Sequence, residues 1–147
     1  MNLEAPTWRW PLPRTRANDP RVVGELIRTG RRNVELGYAE HVRDPVPVSA
    51  ARAGAVMSAL ELPTGFAVSI DHEDGWTTHY AHLSKLFVDP CLPDRAKRQR
   101  VAAGQILGLA ARSPTHICFE MWRWDGRRFN AIDPKPELQL FTKEVDA

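Results

Sequence analysis

The run TGFAVSIDHEDGWTTHYAHLS, residues 64–84, constrains the fold more than any other part of the chain. Phe66, Val68 and Ile70 alternate with Ala67, Ser69 and Asp71. After Asp74-Gly75 the alternation resumes with Trp76, Thr78 and Tyr80. A period of two marks a strand with one buried face, and Asp-Gly between two such runs is a strong hairpin signal. A lone hairpin is marginal in water, so further strands must supply the rest of the sheet.

The remaining sequence supplies them. Val46, Val48 and Ala50 form one short run, and Ala55–Leu60 follows after Gly54. RVAAGQILGLAARSPTHICFEMWRWDGRRF holds two or three more strands, with Asp125-Gly126 as a second turn. The 12 prolines and 9 glycines cut the chain into pieces too short for long helices. One short helix is predicted over Val22–Arg28, closed by Gly30. The expected fold is therefore mainly β: a compact antiparallel domain with a short N-terminal helix. The expected division is an extended N-terminal segment (1–30) packing on a β domain (31–140), then a C-terminal tail (141–147).

With 147 residues, 43% of them hydrophobic, the chain can bury a core without staples. A net charge of +2 is too small to imply nucleic acid. No apolar run is long enough to span a bilayer as a helix, so no membrane insertion is expected. The first residues lack the basic-then-apolar order of a signal peptide, which leaves the localisation open. Cys91 and Cys118 are too few for a disulfide framework. The basic run DRAKRQR, residues 94–100, reads as a solvated loop.

The chemistry concentrates in SPTHICFEMWRWDG, residues 113–126. On a strand, His116, Cys118 and Glu120 point one way and Ile117 and Phe119 the other. Trp122 and Trp124 continue the His116 face, where they line a groove or cover the end of the core. A strand histidine beside apolar residues is usually a half-buried, hydrogen-bonded side chain.

Taken with its surroundings, this stretch resembles the lysostaphin-type (LytM-like) M23 family of peptidoglycan metalloendopeptidases. WRWPLP is similar to the family's Trp-Pro-Leu entry, and DPVPVSAARAGAV to its G-T-P-V-x-A-x-x-x-G-x-V segment. IDHEDGWTTHYAHLS, GQILG and FNAIDPKPEL follow in family order. The resemblance implies the fold called a duplicated hybrid motif. It also implies a zinc held by the His and Asp of H-x-G-x-D and the second His of H-x-H, which lowers the pKa of a bound water. The helper histidines are carried over as His82, from Y-A-H-L, and His116, from H-I-C. Tyr80 and Trp122 are the candidate binding residues.

The ligand positions depart from the family. ELGYA, residues 35–39, falls on H-x-G-x-D, so Glu35 stands for the His and Ala39 for the Asp. Cys118 stands for the last His. Glu40 and His41 are nearby substitutes for Ala39 under a register slip. LAARSP is shorter than the family's groove-walling loop, which leaves the groove more open there. The expected function is a catalytically inactive domain with no cofactor. It binds peptidoglycan peptide, or regulates a wall hydrolase, or assembles a cell-wall or phage-associated complex. The alternative is an active zinc endopeptidase with rearranged ligands drawn from Glu35, Cys118 and the two histidines.

Overall fold

A computed structural model describes residues 8–14, 18–28, 30–40, 42–89, 98–112 and 115–143. Within them one antiparallel sheet contains β1 (Arg21–Arg28), β2 (Arg31–Gly37), β3 (Pro47–Ser49), β4 (Gly54–Leu62) and β5 (Gly65–Asp71). It continues with β6 (Trp76–Leu86), β7 (Arg100–Val101), β8 (Ile106–Arg112), β9 (Thr115–Trp124) and β10 (Phe129–Ile132). The strand order is β1-β2-β9-β8-β6-β5-β4-β7. β9 is the hub: it also pairs with β6 and β10.

The hairpin of residues 64–84 forms as its alternation predicts. Val68 pairs with Tyr80 and Ile70 with Thr78 across β5 and β6. Val68, Ile70 and Tyr80 are fully buried, as are Leu36, Leu107, Ile117 and Phe119 from β2, β8 and β9. Gly75, at φ 98°, adopts the left-handed backbone that the turn requires.

The predicted N-terminal helix is a strand instead. β1 pairs along its length with β2, and Gly30 turns the chain between them at φ 76°. Val22, Val23, Leu26 and Ile27 mimic helical spacing, but β-branched side chains fit a pleated surface better than a helix. Val23, Leu26 and Ile27 are exposed, so no core receives the stripe a helix would bury. Among the described residues the one helix is α1 (Pro134–Leu138), after β10. Asp133 caps it by accepting the Lys135 N–H at 3.1 Å, with Pro134 at its first position.

The chain ends share the core with the sheet. Trp10 and Leu12 are buried, and the Trp10 indole N–H donates to the Leu138 carbonyl at 3.1 Å. Phe141 stacks on Trp8, and Arg9 bridges Thr142. Cys91 and most of the basic run lie outside the described residues; Arg100 opens β7. The Cys118 thiol is free. Among the described residues no helix is long and apolar enough to cross a membrane.

Candidate functional site

β9 sorts its side chains by parity. Ile117, Phe119 and Met121 enter the core. His116, Cys118, Glu120 and Trp122 alternate with them on the opposite face. β2 and β6 flank that face. Gly37 pairs with His116 and Glu35 with Cys118 on one side; Ala81 pairs with Cys118 and His79 with Glu120 on the other. A Cβ on Gly37 would sit 2.8 Å from the Thr115 carbonyl oxygen and 3.2 Å from the His116 Cβ. Glycine therefore lets β2 pass close to the histidine.

His82 reaches the same face through a backbone irregularity. Phe66 pairs with Leu83 and Val68 with Tyr80, so Ala67 alone opposes both Ala81 and His82. His82 sits in this bulge at φ 63°, a conformation that disfavours a residue with a Cβ. The bulge reverses the alternation and brings the His82 ring to 5.6 Å from the His116 ring, centroid to centroid. Strain of this kind persists where the surrounding structure imposes it.

Tyr80, a candidate binding residue, is instead a core residue. Its ring lies 5.4 Å from that of Phe119, and it has no exposed surface. Its hydroxyl belongs to a chain whose proton positions follow from one fixed end. The Ala53 carbonyl can only accept, so His72 Nδ1 donates to it at 2.8 Å. His72 Nε2 then accepts from the Thr78 hydroxyl at 2.8 Å. Thr78 in turn accepts from the Tyr80 hydroxyl at 2.7 Å, and Tyr80 accepts from the Ala51 N–H at 2.9 Å. This arrangement needs neutral His72. Burial pushes its pKa down, helped by Arg52 and opposed by the Ala53 hydrogen bond, Asp74 and Asp71. The chain fastens residues 51–53 to the sheet.

The ligand positions come together only in part. Glu35 and Cys118 face each other, but Ala39 lies exposed beyond β2 and has no donor atom. Glu40 is exposed beside it, and His41 lies outside the described residues. Burial, then Glu35 and Glu120, push the Cys118 thiol up to about 11, while a hydrogen bond with Asn33 pulls the other way. Among the described residues no three His, Cys, Asp or Glu side chains gather to hold an ion. This donor set does not fit a catalytic zinc.

A second polar group occupies the same face beyond Cys118. Arg31 Nε and Nη2 grip the Glu120 carboxylate as a fork, at 3.0 and 2.6 Å. Glu120 is only 1% exposed, so this fork compensates an otherwise costly buried charge. His79 Nε2 stands 3.9 Å from Glu120 Oε2, and His79 Nδ1 bonds the Ser69 hydroxyl at 2.7 Å. Burial drives the His79 pKa down against the pull of Glu120. Sequence reasoning placed Glu120 on this face but missed the group. Its signal was a carboxylate inside an apolar strand; the partner Arg31 lies on another strand, 89 positions away.

The β8–β9 hairpin is tight. Arg112 pairs with Thr115, so only residues 113 and 114 join the strands beside His116.

A β-sheet domain with paired imidazoles on its open face is the class that fold and site define. Residues 34–134, more than half of the chain, match the model of peptidase family M23, and the chain belongs to that family. No curated protein matches it. Among solved structures it is similar to a glycyl-glycine endopeptidase, lytM, from Ruminococcus gnavus. The TM-score is 0.67 at 16% identity over 97% of this chain and 64% of that one. It is also similar to a chain of the SpoIIQ–SpoIIIAH pore-forming complex, with a TM-score of 0.66 at 21% identity over 97% and 95% of the two chains. A zinc-containing peptidase from Vibrio cholerae matches with a TM-score of 0.53 at 23% identity, over 79% and 37%. The chain thus spans less than two thirds of either peptidase, and at these identities the likeness concerns the fold.

Proposed function

We infer that this chain is a non-cleaving member of the M23 family whose former catalytic face binds a peptide. The observation that carries the reading is the ligand triplet: Glu35 and Cys118 remain as a facing pair, while Ala39 contributes nothing. Hydrolysis through zinc needs three protein ligands and one open position. The two imidazoles and the open sheet around them keep hydrogen-bonding groups suited to an extended peptide. Membership of the family makes peptidoglycan peptide the favoured occupant, in a cell-wall or phage-associated assembly. The similar chain in the SpoIIQ–SpoIIIAH complex is itself part of a protein assembly, which supports a binding role for the fold.

The test is co-sedimentation with purified peptidoglycan at physiological salt, alongside an assay for released amines with and without zinc. The reading expects retention without amine release, and loss of retention in a His82→Ala/His116→Ala variant. Absence of retention contradicts wall binding. Zinc-dependent release that disappears in both Glu35→Ala and Cys118→Ala favours the rearranged-ligand enzyme.

A further inference from the structure

Past Glu120 the open face contains a pocket of about 230 Å³. Trp122, Phe129 and Met57 form apolar walls, and Thr77, His79 and Glu120 lie in the lining between them. Thr77 is only 7% exposed, and its Oγ1 is buried without a hydrogen-bond partner. An unpaired buried hydroxyl is costly, and native proteins rarely leave one without a reason. A second incomplete point lies beside it. The gap of 3.9 Å between His79 Nε2 and Glu120 Oε2 is too long for a hydrogen bond, yet one intervening oxygen can bridge it.

These features restrict the guest. The pocket is smaller than the roughly 300–1,000 Å³ that holds a drug-sized ligand, so it admits a single ring. Arg31 already neutralises Glu120, so the pocket offers no net charge to offset an ionic guest. Thr77 and the His79–Glu120 gap are separate points, each completed by a hydroxyl that donates and accepts. The aromatic walls suit the C–H face of such a ring. We propose that this pocket binds a neutral pyranose, a site distinct from the His82–His116 centre. An adjoining pocket of about 330 Å³ shares Phe129 and contains Trp124, Asp71 and Glu73, so a second sugar unit can continue along the face. The proposal stands whether or not the histidine centre binds a peptide.

The experiment is a two-dimensional NMR titration of the full chain. The probes are methyl gluco-, galacto- and mannopyranosides, with p-cresol as a one-hydroxyl aromatic comparison. The expected result is saturable shifts of the Trp122 indole and Thr77 methyl signals with at least one glycoside. Thr77→Val keeps the shape and removes the hydroxyl, and is expected to weaken that binding roughly fivefold, the equivalent of one neutral hydrogen bond. Thr77→Ser is expected to retain it, which guards against a folding artefact. The proposal is overturned if no glycoside moves these signals, if Thr77→Val binds as well as the unmodified chain, or if p-cresol binds more tightly than every glycoside.

Discussion

His82 and His116 face each other with ring centroids 5.6 Å apart, although no regular strand at residue 82 would allow it. His82 gets there through a bulge and a φ of 63°. Glycine adopts that backbone without the Cβ penalty. His82 bears that backbone cost while its half-buried ring lies beside that of His116.

His82→Gly is accordingly expected to stabilise the fold by about 1 kcal/mol, relieving the left-handed backbone. Urea unfolding of the two proteins measures it through the midpoint shift at constant slope. A clear loss of stability would show that the ring is held for packing, and the functional reading of this pair would weaken.

Cys118 offers a chemical check on the electrostatics beside Glu35. With its thiol pushed up to about 11, the reactive thiolate is scarce at pH 8. Alkylation at Cys118 in the native protein, followed by peptide mass spectrometry, is expected to lag the urea-unfolded control by roughly a hundredfold. Comparable rates would mean an accessible thiolate and a site electrostatically different from the one described.

The His72–Thr78–Tyr80 chain makes stability fall on both sides of neutrality. Burial lowers the His72 pKa in the fold, so below its unfolded value of 6.5 the unfolded chain binds the extra proton first. Stability then drops as pH falls below 6.5, with a slope approaching about 1.4 kcal/mol per pH unit until the folded protein protonates. His79 adds to this with the same sign. On the alkaline side Tyr80 is pushed up to about 12, so stability declines above pH 10 as the unfolded phenol ionises first. Denaturation midpoints across pH 5–11, with His72→Gln reducing the acid limb, provide the measurement. A flat profile between pH 7 and 5 would contradict the neutral-histidine chain.

How much of this was written in the sequence depends on how local the cause is. The β5–β6 hairpin was legible because alternation and Asp74-Gly75 are local signals. β1 was misread because residues 22, 23, 26 and 27 match a helical face as well as an exposed edge strand; only pairing with β2 decides. Tyr80 was misplaced for a different reason. Two residues apart on an unbroken strand, Tyr80 and His82 would share a face. The bulge separates them, and no residue type in Y-A-H-L announces it. The Arg31–Glu120 fork and the unpaired Thr77 hydroxyl depend on strands that meet only after folding.

Zinc titration by calorimetry, starting from metal-free protein, tests the central claim most directly. The triple variant Glu35→His/Ala39→Asp/Cys118→His serves as the reference, since it rebuilds the ligand set of the family. The unmodified chain is expected to show no zinc binding tighter than micromolar, while the triple variant binds one ion tightly. Tight binding of one zinc by the unmodified chain, abolished by Cys118→Ala, would contradict the account and restore the family's chemistry to this face.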